Sequence, residues 1–189
     1  MSDGQNSLVV RAKAGDRTAL NSLLEIHLGT VYRFVSVKMG AGHPELDDIV
    51  QETLMGASAS IRALRGETNA QVAGWLLSIA RHKVADHLRI RYSHPQVSLE
   101  GATGARIADP ARPVDEQVMA SQRAEQLREA MRRLTPEQEE VLTLRFVLGC
   151  AIDEVAEMTR RPAGAVKSMQ HRALASLHQK LDAEEVAWN

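Results

Sequence analysis

Between Ser93 and Pro113 the apolar periodicity that fills the rest of the chain stops. This stretch carries Pro95, Gly101, Gly104, Pro110 and Pro113, with small and polar residues between them. A gap of this length with no period of its own is uncommon inside one compact domain, so it predicts a linker. The 189 residues then suit two small domains, and 44% hydrophobic content is enough to give each a core. Aromatics make up only 3%. Such cores are built from Leu, Val, Ile, Ala and Met, which favours helix over sheet. The expected fold is all-α: two helical domains, residues 1–92 and 114–189, on a flexible tether over 93–113.

Helical spacing supports this division. In the first half, Leu20, Leu23, Leu24, Leu28, Val31, Phe34 and Val35 mark one long amphipathic helix ended by Gly40, Gly42 and Pro44. A second helix puts Leu46, Ile49, Val50, Thr53, Leu54, Ala57 and Ile61 on one face and Glu45, Asp48, Gln51 and Glu52 on the other. A polar loop follows over 62–69. A third helix buries Val72, Leu76, Ile79, Ala80 and Leu88, with Arg81, Lys83, Arg89 and Arg91 mainly on its other sides. In the second half, Thr135-Pro136-Glu137-Gln138 is a strong helix start: a hydroxyl cap, proline at the first helical position, and glutamine three after the cap. That helix buries Val141, Leu142, Leu144 and Leu148, and Gly149 closes it.

Near the C-terminus no acidic residue occurs from Met158 through Leu181, a span holding Arg160, Arg161, Lys167, Arg172 and Lys180. Five uncompensated cations in a chain of formal net charge −1 are an electrostatic footprint for phosphate. A short helical pattern, Ala151 to Thr159, precedes the turn at Arg160, Arg161 and Pro162. Ala156 and Val166 sit ten positions apart, as a helix-turn-helix requires: a small residue at the crossing and an apolar one facing inward on the second helix. An ordinary helical hairpin with a solvated basic face has the same spacing.

Charge follows the division. Residues 1–92 hold 11 Lys/Arg against 9 Asp/Glu, and residues 114–189 hold 10 against 13. A protein coating nucleic acid nonspecifically is basic throughout, and this one is not. No stretch approaches the ~20 apolar residues of a membrane span, no leader pattern opens the chain, and it reads as cytoplasmic. The single cysteine, Cys150, leaves no internal disulfide. His82 and His87 are five apart rather than the four of a metal-binding helix. No nucleophile stands beside a base, and there is no glycine-rich phosphate loop. No metal, no cofactor and no enzyme activity are expected.

Four strings together resemble one family. Glu45-Leu-Asp-Asp-Ile-Val-Gln-Glu-Thr53 is similar to the acidic helix by which bacterial sigma factors grip the polymerase clamp. Gly74-Trp-Leu-Leu-Ser-Ile-Ala-Arg-His-Lys-Val-Ala-Asp-His-Leu-Arg89 is similar to the helix that reads and melts the minus-ten element. Leu134 to Phe146, followed by Ala163-Gly-Ala-Val-Lys-Ser168, resembles the domain that reads the minus-thirty-five element. Two such domains with a short linker is the layout of the extracytoplasmic-function (ECF) sigma factors of the sigma-70 family. The resemblance covers nearly the whole chain in the correct order. The strings His82 to Asp86 and Gln170 to Leu174 are similar to the actinobacterial SigD-type branch.

The resemblance implies core RNA polymerase and promoter DNA as partners. It also implies an anti-sigma factor for many members, though no residue here identifies one. Asp48, Gln51 and Glu52 become the polymerase-binding residues, suited to a basic partner surface through charge-assisted hydrogen bonds. Trp75, Arg81, His82 and Arg89 become the minus-ten residues, with the 62–69 loop as one wall of a pocket for an unstacked base. Trp75, near the apolar stripe, is better suited to a core or wedge role than to base stacking. Lys167, Ser168, His171 and Arg172 become the minus-thirty-five readers, and Arg160 and Arg161 in the turn are placed for phosphates. The family usually has asparagine where this chain has His82, threonine at Ala165, arginine at Met169 and an aliphatic residue at Gln170. A stand-alone helix-turn-helix regulator and a helical adaptor are the competing expectations.

Overall fold

The computed structural model describes residues 2–40, 42–93, 126–127 and 129–187. Apart from Ser93, the last residue of a helix, the expected linker lies outside the described residues, as does the expected restart at Val114. Among the described residues every regular element is helical, and they group into two units.

The first unit is built from α1 (Ser2–Lys13), α2 (Arg17–Met39), α3 (Leu46–Ser60) with a 3₁₀ turn (Ile61–Ala63), and α4 (Asn69–Ser93). The sequence pattern places the first helix at residue 17, so α1 is an addition. Val9 and Ala12 of α1 are buried. Gly15 turns the chain with φ 96°, a left-handed conformation that glycine adopts without penalty. Asp16 then caps α2 by accepting from the Ala19 N–H at 3.0 Å. Arg11 reaches back to the same carboxylate at 2.6 Å, so the α1–α2 corner is fixed from both sides.

The core of this unit lies where α2, α3 and α4 face one another. Leu23, Val31, Phe34 and Val35 of α2 meet Ile49, Val50 and Ala57 of α3, and Val72, Leu76 and Ala80 of α4. Leu28, expected on the inner face of α2, is 41% exposed, and Ile79 and Leu88 are half-buried. Leu77 and Val84 take the buried positions on α4 instead. A helical stripe read from 3.6-residue spacing is wider than the strip that a neighbouring helix covers.

His27 is buried on α2, and desolvation pushes its pKa from the ordinary 6.5 down to about 4. Burial disfavours the imidazolium, so the folded state keeps the ring neutral while the unfolded chain takes a proton more readily. The contribution is complete above pH 6.5 and is lost as pH falls towards 4. At about 1.4 kcal/mol per pKa unit it amounts to roughly 3 kcal/mol. Thermal unfolding followed from pH 7 to pH 4.5 should show this loss, and His27→Leu should flatten most of it. An unchanged pH slope in that variant would remove His27 as the cause.

In the second half of the chain, helical residues at 129–132 lead to α5 (Pro136–Leu142), a π turn (Thr143–Val147), α6 (Ile152–Thr159) and α7 (Ala163–Ala187). The expected capping box is present. The Thr135 hydroxyl accepts from the Gln138 N–H at 3.3 Å, and Gln138 Oε1 accepts from the Thr135 N–H at 3.1 Å. The α-helix does not run to Gly149 as the spacing predicts. It widens at Thr143, whose carbonyl accepts from the Leu148 N–H at 3.0 Å. One extra residue in the turn rotates the residues after it by about 100°. Leu144 stays buried, while Phe146 and Val147 turn outward and Leu148 is only half-buried. Gly149, with φ 72°, ends the segment. Leu134, Leu142 and Ala173 form one buried cluster, with Met131 and Leu177 packed against it.

Candidate polymerase and nucleic-acid interfaces

The apolar side of α3 faces α2 and α4, which leaves Asp48, Gln51 and Glu52 exposed. Asp48 and Glu52 are one turn apart on a shared face. α4 also reaches across towards this helix, with Lys83 and His87. Lys83 Nζ lies 3.1 Å from a Glu52 oxygen, and His87 Nδ1 lies 3.0 Å from Glu45. His43 completes the corner: its Nδ1 accepts from the Glu45 N–H at 3.2 Å, and its ring meets His87 edge-on at 5.5 Å between centroids. Spacing along either helix alone carries no signal for these cross-helix pairs.

A second capping box opens α4. The Thr68 hydroxyl accepts from the Gln71 N–H at 3.2 Å, and Gln71 Oε1 accepts from the Glu67 and Thr68 N–H groups at 2.9 and 3.4 Å. The string Thr68-x-x-Gln71 is the sequence signal that could have found it. The loop before it is tightly folded, with Leu64 buried and Gly66 so close to Gln71 that an added Cβ would lie 2.3 Å from the glutamine Cβ. Trp75, His82 and Arg89 are spaced by seven, so they lie on one stripe with a drift of about 20° per step. Trp75 is half-buried, while His82 and Arg89 are exposed. Arg81 is half-buried about 100° away around the helix. Arg89 pairs with Asp86 at 2.9 Å. His82 Nδ1 sits 2.7 Å from the Ser78 carbonyl oxygen. A carbonyl only accepts, so Nδ1 carries the proton in this pair and Nε2 is the ring's outward-facing nitrogen.

Helices α6 and α7 form the expected two-helix motif. Glu154 accepts from the Ala151 N–H at 2.7 Å and so caps the first turn of α6. The turn between the helices bends at Arg160, whose φ of 55° is left-handed. The Pro162 carbonyl then accepts from Ala165 and Val166 at 2.9 and 3.1 Å to start α7. Val155 and Val166 are fully buried, and Ala156 is half-buried. On the outer side of α7, Lys167, Ser168, His171 and Arg172 are all exposed. Arg160 is exposed and Arg161 half-buried, the latter with Nη1 3.3 Å from Met169 Sδ. Arg145 of the π turn donates from Nε to Gln170 Oε1 at 2.9 Å and from Nη1 to the Cys150 carbonyl.

Two family models match the chain: "Sigma-70 region 2" over residues 23–92 and "Sigma-70, region 4" over residues 124–177. The ECF RNA polymerase sigma factor BldN of Streptomyces coelicolor is 33% identical over 92% of this chain, which spans 64% of BldN. SigC of Mycobacterium tuberculosis is 30% identical over 90% of this chain and 88% of its own length. SigD of the same species is also 30% identical, over 93% of this chain and 83% of its own. The narrower affinity to the SigD-type branch therefore rests on the two strings that suggested it. Among solved structures, CnrH in complex with the cytosolic domain of CnrY superposes with a TM-score of 0.62 at 22% identity, covering 96% of this chain and 99% of CnrH. The sigma factor RpoE in complex with the anti-sigma factor NepR from Bartonella quintana gives 0.56 at 23%, covering 86% and 96%. These two show the shared fold. With regions 2 and 4 matched in order and full-span relatives at 30% identity, the chain belongs to the ECF RNA polymerase sigma factors of the sigma-70 family.

Proposed function

We propose that the chain docks on core RNA polymerase through α3, directs the enzyme to promoters by reading two elements, and assists opening at the minus-ten element. The observation that carries this reading is that the exposed acidic face of α3 and the exposed polar side of α4 share the first unit, while the basic side of α7 belongs to the second. A helix-turn-helix regulator acting alone has no use for the exposed face of Asp48, Gln51 and Glu52. In this reading residues 1–92 hold the polymerase and minus-ten functions, 93–113 tether the two domains, and 114–189 hold the minus-thirty-five function. The chain works in the cytoplasm without chemistry of its own, and an anti-sigma factor is a natural partner, as NepR is for RpoE of Bartonella quintana. Transcription from a set of genomic promoters by core enzyme, with and without the chain, tests the proposal. Initiation at defined sites only in its presence supports it; unchanged transcription contradicts it.

The stripe of Trp75, His82 and Arg89 leads to a finer expectation. With Nδ1 held by Ser78, His82 presents one nitrogen to DNA, whereas an asparagine amide presents a donor and an acceptor together. His82→Asn should therefore change which minus-ten base is preferred. A single gained or lost hydrogen bond, about 1 kcal/mol, corresponds to roughly fivefold. Open-complex formation on promoters varied at each minus-ten position measures this. A shifted preference supports base reading, an equal loss on every promoter indicates a phosphate contact, and no change removes His82 from the site.

A further inference from the structure

The inner stripe of α7 runs Val166, Gln170, Ala173 and Leu177, and one of these four is polar. Val166 and Ala173 are fully buried and Gln170 is half-buried between them. Such a stripe holds a helix weakly against rolling about its own axis, because alanine offers no side chain to interlock. A half-buried amide in that stripe needs a partner, and it has one 25 residues away. Arg145 donates to Gln170 Oε1 at 2.9 Å while a second nitrogen of the same guanidinium donates to the Cys150 carbonyl. A planar fork that engages two groups in fixed directions sets orientation as well as distance.

The outer residues follow from the inner ones. Lys167 and His171 flank Gln170 in sequence and are exposed, with Ser168 and Arg172 beside them. At a helix radius of about 5–6 Å with side chains, a roll of 10° moves a tip by about 1 Å. Bidentate base reading does not tolerate such a displacement, since hydrogen bonds weaken steeply away from their preferred distance and angle. The widened turn is part of the same device, since it places Arg145 beside α7 while sending Phe146 outward.

We propose that Arg145 is a positioning residue for minus-thirty-five recognition: by tying Gln170 to the Cys150 carbonyl it fixes the roll of α7, and with it the aim of Lys167, His171 and Arg172. This rests on the reading of α7 as the minus-thirty-five helix. Arg145 acts through the helix and touches no base.

The test uses the full chain assembled with core polymerase. Transcription is measured on one promoter, on single-base changes in its minus-thirty-five element, and on single-base changes in its minus-ten element. Arg145→Met and Gln170→Leu should each lower discrimination across the minus-thirty-five panel by about threefold to tenfold, the range of one hydrogen bond. The minus-ten panel should keep its ranking and spread. The double variant should be no worse than the poorer single variant, because both remove the same tie. Arg145→Lys should behave like Arg145→Met, since an ammonium keeps the charge but cannot span both oxygens in one plane. Should Arg145→Met fail a thermal-unfolding check, Gln170→Leu carries the test, as leucine adds apolar surface to the buried stripe. Additive losses in the double variant, full discrimination in Arg145→Lys, or equal losses on both panels would overturn the proposal. Arg172→Ala serves as the reference. If it too leaves minus-thirty-five discrimination intact, the reading of α7 fails; if it lowers discrimination while Arg145→Met does not, only the positioning role fails.

Discussion

Asp48→Lys combined with Glu52→Lys is expected to abolish binding to core RNA polymerase and leave the helical fold in place. Both carboxylates are exposed on α3 and one turn apart. Each charge-assisted hydrogen bond to a basic partner surface contributes about 1.5–3 kcal/mol, so reversing two replaces attraction with repulsion and lowers affinity by more than about a hundredfold. The fold should survive because the buried side of α3, with Leu46, Ile49, Val50 and Ala57, is untouched. The chain's own interaction at this face is the Glu52–Lys83 pair, more than a third exposed on both sides, and such pairs contribute about 1 kcal/mol or less. That pair also supplies a control. Adding Lys83→Glu restores an internal partner for lysine at 52 without restoring the acidic face. Helicity and Tm should recover, and polymerase binding should not. Recovery of binding would mean that the double reversal acted through the α3–α4 contact, and full affinity in the double reversal would move the docking surface elsewhere.

Arg172→Ala should have the second large effect, on choice among promoters. Arg172 lies on the outer side of α7, and its Nε contacts the Ser168 carbonyl at a long 3.4 Å, which base pairing would easily displace. An arginine paired with a guanine discriminates by about 1–3 kcal/mol, so one minus-thirty-five position should lose roughly tenfold or more of its preference. Arg161→Ala should differ in kind. Arg161 belongs to the turn, and its guanidinium lies against the Met169 sulfur. Its loss should weaken binding about evenly across sequences and reduce the salt dependence by about one counterion. Part of that loss will come from the lost contact of the guanidinium with the Met169 sulfur. Measuring both variants on one promoter panel at two salt concentrations separates the two behaviours. If neither changes promoter use, the basic side of α7 is only a solvated face.

Much of the fold is legible in the sequence because local rules and tertiary packing agree along most of the chain. Thr135 to Gln138 predicts its capping box to the atom, since hydroxyl, proline and glutamine positions are fixed by the first turn of any helix. The four strings that carry the family resemblance lie on helices α3, α4, α5 and α7, with their polar residues largely outward. Three features are not legible. Helix α1 lacks a strong apolar period, and its place is set by Val9, Ala12 and the Arg11–Asp16 corner. The π turn at Thr143 has no signature, because Leu144 and Leu148 fit an ordinary α-helix equally well in sequence. The cross-helix pairs, Lys83 to Glu52 and Arg145 to Gln170, join residues 31 and 25 apart in the sequence, beyond the reach of helical periodicity. Gln170, in sequence only a departure from the family, is explained once Arg145 is seen beside it.

The most direct measurement is native co-purification of the chain with core RNA polymerase, followed by transcription from a cognate promoter. The account predicts a one-to-one complex that initiates at that promoter and not at one with a scrambled minus-ten element. It also predicts that the Asp48→Lys, Glu52→Lys chain forms no complex. A chain that binds the duplex tightly by itself, makes no complex with core enzyme and leaves transcription start sites unchanged would contradict it.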